Sequence, residues 1–238
     1  MDIRNRLLAY FGEAAVARLS PDIREISLSV GRILGEPGEP IDHVFFPTSG
    51  VISVVTLLVD GRKVESLTVG REGAVGLAGA FGHGRWITRG IVQIAGAALR
   101  ISAPALRAVA EDEPLVLDAV LRYAEMTEAQ LHQSAACNAL HPIEARLARW
   151  LLTCEDRVGD HLLPLTHEFL AMMLGVQRTR VTAAAQTLQR QGLIDYRRGL
   201  ITVKDRAALE RAACECYATI EATHDRIFAP RSTVIAAQ

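Results

Sequence analysis

The sequence predicts an α+β fold, with an all-β N-terminal half, a long helix, and a helical C-terminal domain that carries a small hairpin. Three observations predict it. Between residues 28 and 102 short runs of β-branched residues alternate with glycine, the pattern of a strand-rich unit. Past Ala103 that punctuation disappears and long stretches take on helical composition. Around Gly175 two helical apolar stripes meet at a single glycine, as they do where two helices cross through a short turn.

In the β-rich part the candidate strands are HVFFP at 43–47, VISVVTLLV at 51–59, KVESLTV at 63–69, GIVQIAG at 90–96 and AALRIS at 97–102. Asp60-Gly61 between two of them signals a hairpin of type I′, whose central residues both need positive φ. A sandwich or barrel follows.

From Glu111 to Glu128 the chain carries six acids and one arginine. Leu117, Val120, Leu121, Ala124 and Leu131 recur there at helical spacing, and Glu113 and Pro114 suit the first turn. One apolar stripe on a long acidic helix needs a cover, supplied either by its own domain or by the same helix of a second chain. Pro142 then breaks the chain. The helix it starts places Ile143, Leu147, Trp150 and Leu151 on one face.

Between His167 and Gln186 the apolar residues Leu170, Leu174, Val176, Val181 and Ala184 keep the register of two crossing helices, with small Ala171 where the backbones approach and Gly175 in the turn. Thr166 can cap the first helix. The second should run from about Arg178 to Gln191 and end at Gly192. Its buried face is Val181, Ala184, Ala185 and Leu188, leaving Thr179, Thr182, Ala183, Gln186 and Arg190 outside. Arg178 and Arg180 flank that outer face from opposite sides, since residues two apart on a helix point about 200° apart. One can reach base edges while the other grips a phosphate. Arg197, Arg198 and Gly199 lie between two short β-prone runs, which reads as a hairpin wing beside the helix.

The whole chain of 238 residues has a net charge of −1, so no global field marks a nucleic-acid partner. From His161 to Lys204, however, six Lys and Arg face two acids, a local excess of four, and that patch is the electrostatic footprint DNA binding needs. The four cysteines, at 137, 154, 214 and 216, are too few for a disulfide framework, which points to a reducing cytoplasm. The longest apolar run, at 51–59, is half of a bilayer crossing, and MDIRNRLLAY lacks a signal-peptide apolar region. Neither secretion nor a membrane partner is expected.

The stretch LTHEFLAMMLGVQRTRVTAAAQTLQRQGLIDYRRGLI, preceded by CNALHPIEARLARWLL, resembles the winged helix-turn-helix of the Crp/Fnr transcription regulators. GEPGEPIDHVFFPTSGVISVV followed by DGRKVESLTVGREGAVG is similar to their cyclic-nucleotide-binding-like β-roll. The resemblance covers most of residues 28–204. It implies a β-roll of the double-stranded β-helix or jelly-roll type over 1–110, a dimerisation helix over 111–137 and a winged helix-turn-helix domain over 138–238. It also implies a bacterial, cytoplasmic homodimer on palindromic double-stranded DNA, with RNA polymerase as a further partner. By the same resemblance Arg178 contacts a guanine, and Thr166 and Gln177 contact phosphates. Where some members read bases with a glutamate and a second arginine this chain has Thr179 and Ala183, so its preferred DNA sequence should differ.

The effector site departs further from the family. Members that bind cyclic AMP use a glycine-glutamate pair and an arginine-serine pair, and an ungapped match places Gly76-Leu77 and Trp86-Ile87 there. Leucine cannot accept from a ribose hydroxyl, and neither tryptophan nor isoleucine neutralises a phosphate. Cyclic AMP is therefore disfavoured, although Arg85 and Arg89 lie nearby, and a small-molecule effector of unknown identity is left. Iron-sulfur members need clustered thiolates near the N-terminus, and no cysteine precedes residue 137. Cys214 and Cys216 fall in an expected helix where their side chains would diverge by about 200°, so inert thiols and no metal site are expected, a redox or metal role being the alternative.

Two other readings compete. A jelly roll can be a cupin-type metalloenzyme, but the histidines at 43, 83, 132, 141, 161, 167 and 224 form no His-x-His pair. GREGAVGLAG opens no helix of Rossmann type, and no nucleophile elbow is present, so no catalytic residue is assigned. A protein-interaction module with a vestigial helix-turn-helix would have no reason to keep its outer face free of acids.

Overall fold

The computed structural model describes residues 4–229, so the outermost residues of the expected first and last domains lie outside the description. Two helices precede the sheet, α1 (Arg6–Tyr10) and α2 (Glu13–Leu19). Buried Asn5 caps α1 by accepting from Leu8 N at 2.9 Å, and its amide donates to Pro47 O and Gly73 O at 2.9 and 2.8 Å. One side chain thereby starts the helix and ties it to the sheet. These helices were not anticipated, because each is too short to show a periodicity.

The strands are β1 (Arg24–Leu28), β2 (Ile33–Gly35), β3 (His43–Leu57), β4 (Lys63–Val69) and, after a short helix α3 (Leu77–Phe81), β5 (Arg89–Ser102). They form one antiparallel sheet in the order β1-β5-β3-β4, with β2 also on β5. Four of the five expected strands merge into two. The runs at 43–47 and 51–59 are one strand, β3, and those at 90–96 and 97–102 are one strand, β5. The glycines between them are corners rather than ends. Gly50 has φ +77°, and a Cβ on Gly96 would stand 2.3 Å from Ser49 O. The β3–β5 register slips three times between Pro47 and Ile52, and bulges of that kind bend a sheet into a roll.

The expected Asp60-Gly61 hairpin exists, but its turn is different. Gly61 N bonds Leu58 O at 2.9 Å with Gly61 at φ +84°, and Arg198 is the one non-glycine at positive φ among the described residues. Asp60 therefore does not adopt the left-handed conformation a type I′ turn requires. The loop is longer, running from Leu58 to Arg62, and Asp60 pairs with Arg62 at 2.7 Å instead.

Helix α4 (Ala103–Asp112) leads into α5 (Pro114–Leu140), with Glu113 at the N-cap and Pro114 in the first turn. Helix α4 thus straddles the expected boundary at 110–111, and the long helix runs to residue 140. The single apolar stripe read from the sequence resolves into two. Val116, Ala119 and Val120 are buried in the N-terminal core, and Met126 is buried on the side that faces α10. Leu117, Leu121 and Leu131 are exposed, Leu121 by 62%, and Ala124 lies on the same open line. Val120 accordingly leaves the dimerisation set, because it is buried in the N-terminal core.

The C-terminal part comprises α6 (Ile143–Val158), β6 (Leu162–Leu163), α7 (His167–Leu174), α8 (Arg178–Arg190), β7 (Ile194–Arg197), β8 (Leu200–Val203), α9 (Arg206–Ala212) and α10 (Cys216–Phe228). Strands β6, β8 and β7 make a small sheet. Its core continues onto the roll, since Val51, Val55 and Ile94 cluster with Leu147, Trp150 and Leu151. Ile52, Val54 and Leu67 point the other way, into the N-terminal core. Among the described residues no helix is long and apolar enough to cross a membrane.

Glu65 sits at this junction. Its carboxyl accepts from Trp150 Nε1 at 2.8 Å and from Thr68 Oγ1 at 3.0 Å, with Ser53 Oγ at 2.5 Å from its other oxygen. Burial raises its pKa above the ordinary 4.5, more than these hydrogen bonds lower it. The folded protein therefore holds this proton more tightly than the unfolded chain does. The stability it contributes is full in acid and is lost as pH rises from 4.5 through the raised value. Glu65→Gln keeps an acceptor for Trp150 and carries no charge. It should raise the unfolding temperature at pH 8, by about 2–4 °C per kcal/mol recovered, and the gain should vanish at pH 4. Melting curves at both values check this, and an equal gain at both would contradict it.

Candidate nucleic-acid interface

The helix-turn-helix is built as its residues dictate. Thr166 Oγ1 accepts from Phe169 N at 3.2 Å and so starts α7. Gly175 ends the helix at φ +63°, a conformation that L side chains adopt only with strain. Gln177 caps α8, and Gly192 closes it at φ +75° while Leu193 N bonds Leu188 O at 3.0 Å, the bond of a Schellman end. Val181, Ala184, Ala185 and Leu188 are all buried.

On the outward side Gln177, Arg178, Thr179, Arg180, Ala183, Gln186 and Arg190 are exposed. Thr182 is less free than the sequence implied. Its hydroxyl donates to Arg178 O at 3.0 Å and lies 2.9 Å from His167 Nδ1, so it braces the helix from within. The His167 ring stacks on Tyr196 at 3.9 Å. Burial and the nearby Arg178 charge hold this imidazole below its usual pKa. Neutral His167 therefore joins α7, α8 and the wing strand β7, a role the sequence did not reveal.

Both local acids are engaged by the patch itself. Glu168 stands 3.7 Å from the Arg178 guanidinium, and Asp195 stands 3.0 Å from that of Arg197. These arginines remain largely exposed, and pairs so exposed are weak, which leaves both available to a phosphate. The wing turns at Arg198 (φ +50°) and Gly199 (φ +82°). This is the I′ geometry, and holding an arginine there costs of order 1 kcal/mol. The tip lies beside Thr166, whose methyl would be 3.4 Å from a Cβ on Gly199. Beside α8 an open groove brings Arg62 of the β3–β4 loop and Lys63 at the start of β4 together with Gln177, Arg178 and Arg180. Those two cations belong to a distant stretch of sequence, and no local pattern linked them to the patch.

A cavity of about 390 Å³ lies between the roll and α5. Of the expected effector residues it is lined by Gly76, Leu77, Arg85, Trp86 and Ile87, together with Tyr123 and Thr127 of α5. Leu77 and Trp86 are buried in its wall, and Ile87 stands exposed at its edge. Arg85 donates to Gly38 O at 2.7 Å, whereas Arg89 lies outside the lining and is paired with Glu36 at 2.7 Å. His43 and His83 join no group of three or more metal-binding donors among the described residues.

The thiols correct a further expectation. Cys214 lies between α9 and α10 rather than within a helix, and Cys216 opens α10. Their side chains therefore do not diverge, and both meet Cys137 and His141 from the end of α5. The expectation of isolated, inert thiols depended on a continuous helix and loses its basis.

Residues 25–113 match the family of the cyclic nucleotide-binding domain, and residues 145–212 match that of the Crp-like helix-turn-helix domain. No curated protein matches the chain. Among solved structures, FixK2 from Bradyrhizobium japonicum is similar at a TM-score of 0.70 and 17% identity, over 81% of this chain and 98% of that one. The c-di-GMP-responsive global regulator CLP of Xanthomonas campestris gives 0.66 and 18%, over 81% and 99%. A Crp-family transcriptional regulator of Thermus thermophilus gives 0.65 and 22%, over 79% and 96%. At such identities the likeness is one of fold. The two family matches cover separate parts of one chain, the β-roll and the helix-turn-helix, and α5 runs between them. The chain belongs to the Crp/Fnr family of DNA-binding transcription regulators.

Proposed function

We propose that the protein binds a two-fold symmetric operator as a homodimer joined along α5, and that its effector is a mainly apolar small molecule rather than a cyclic nucleotide. The observation that carries the DNA reading is the exposed basic side of α8, with Arg178 and Arg180 at its start and the wing beside it. The exposed line of Leu117, Leu121, Ala124 and Leu131 supports the homodimer, because an uncovered leucine seam on a long helix is what a second copy covers. The cavity supports the effector reading. Its one arginine, Arg85, already serves Gly38 O, and the buried Leu77 and Trp86, which the ungapped match sets at the nucleotide-binding pairs, bring neither a carboxylate nor a cation to its wall. A cytoplasmic location accompanies this role.

Selection of binding sites from random double-stranded DNA with the purified protein tests the proposal. The expected motif is an inverted repeat whose half-site centres lie about one helical turn, 34–36 Å, apart. A single asymmetric half-site would overturn the dimeric reading. On the selected operator Arg178→Ala should cost about 1–3 kcal/mol, with a far smaller loss on random DNA. Equal losses on both would make Arg178 a phosphate contact only.

A further inference from the structure

We propose that Cys137, His141, Cys214 and Cys216 form a closed tetrahedral site for one zinc ion, which clamps the end of the long helix α5 to the turn between α9 and α10. One ligand atom from each residue lies within 4.8 Å of all the others. Cys137 Sγ is 3.5 Å from Cys214 Sγ, and Cys216 Sγ is 3.4 Å from His141 Nδ1. A zinc tetrahedron with Zn–S of about 2.3 Å and Zn–N of about 2.0 Å sets neighbouring sulfurs about 3.8 Å apart and a sulfur and nitrogen about 3.5 Å apart. The side chains are thus placed for a single ion. An iron-sulfur cluster distributes its thiolates over several irons and holds them wider apart.

The sequence places each donor by a simple device. Cys137 lies in the last turn of α5 and His141 is the residue just past its end, held over Cys137 by the bond from His141 N to Cys137 O at 3.1 Å. Cys214 and Cys216 are separated by the single residue Glu215, where the chain leaves α9 and bends into α10. The surrounding groups are those of a metal-binding histidine and thiolate. Glu215 Oε1 lies 3.2 Å from His141 Nε2, which leaves Nδ1 directed at the sulfurs, and Gln133 Nε2 donates to Cys216 Sγ at 3.0 Å. Such outer partners fix the imidazole's orientation and favour the thiolate. Arg146 and Arg149, both buried on α6 and within electrostatic reach of Cys137, offset the single negative charge that three thiolates and a histidine leave around a divalent ion.

The three cysteines are buried and packed against one another. A disulfide would use two of them and give no role to His141, Glu215 or Gln133. Three sulfurs and one imidazole suit zinc rather than magnesium or calcium, and four protein donors leave no open position for catalysis. Binding exchanges three thiol protons, released to solvent, for one zinc ion held by three thiolates and a neutral imidazole. The site also adjoins the joint between the two halves of the protein. Helix α5 ends at Leu140 and α6 begins at Ile143, so an ion here fixes the angle at which the DNA-binding domain leaves the long helix.

The test uses the full-length chain purified in reducing buffer with zinc present. Elemental analysis should find about one zinc per chain. Protein stripped by a chelator and refilled with cobalt(II) should develop the d–d and sulfur-to-cobalt bands of a tetrahedral thiolate site. Cys214→Ser should reduce zinc content to less than a tenth of the wild-type value, and if that variant does not fold, the cobalt spectrum of the wild-type chain decides the matter alone. Three results would overturn the proposal: wild-type protein with four titratable thiols and less than a tenth of an ion per chain, a folded Cys214→Ser variant with undiminished zinc, or a Cys137–Cys214 disulfide in the zinc-supplemented preparation. None of these readouts involves DNA, so the outcome is independent of the operator reading.

Discussion

Leu121→Glu is expected to give a monomer that folds normally and binds its operator about 100-fold or more weakly. Leu121 is 62% exposed on the open line of α5, while Val116, Ala119 and Val120 on the other side hold the helix to the N-terminal core. A leucine buried at a dimer seam contributes about 1.5–3 kcal/mol, and two-fold symmetry removes it twice while setting two carboxylates opposite each other. Once the seam opens, the second recognition helix no longer benefits from the high effective concentration that linkage provides, worth some 10²–10⁴ in affinity. Sedimentation equilibrium and operator titration measure the two effects, and an unchanged melting curve would show that the fold is intact. A variant that remains dimeric would place the seam elsewhere.

The largest expected effect on stability is at Gly96. A Cβ there would lie 2.3 Å from Ser49 O and 2.6 Å from Gly50 N, and backbone atoms at the corner of a two-stranded ladder cannot withdraw as a flexible side chain can. Gly96→Ala should therefore cost about 3 kcal/mol or more, a large part of the 5–15 kcal/mol typical of a folded domain. The unfolding temperature should fall by about 6–12 °C. Gly159→Ala is the matched control. It too is a strained glycine position (φ +73°), but a Cβ there has open space around it, so its loss should stay near 1 kcal/mol. Equal losses at the two positions would mean that the corner relaxes.

What the sequence revealed and what it hid divide by the range of the interactions. The helix-turn-helix was legible because Thr166, Gly175, Gly192 and the Val181–Leu188 register act within a few residues of themselves. Gly50 and Gly96 read as strand ends because a bend and a break call for the same residue, and only the pairing partner distinguishes them. Periodicity found apolar residues on α5 but could not separate Val120, turned inward, from Leu117 and Leu121, turned outward. The His167–Tyr196 stack, the approach of Arg62 and Lys63 to α8, and the meeting of Cys137 with Cys214 across 77 residues are all products of tertiary folding. No local rule could have supplied them.

The alternation of β3 and β4 has a mechanical consequence. Val54, Ser66 and Leu67 border the cavity beside α5, while their neighbours Ser53, Val55 and Glu65 meet Met173, the helical core and Trp150 on the reverse side. Any guest lodged in that chamber leans on a partition one backbone thick, and the reading head rests against its far side. A guest there and the DNA-reading helices would thus share a single wall, with no train of intermediaries between them.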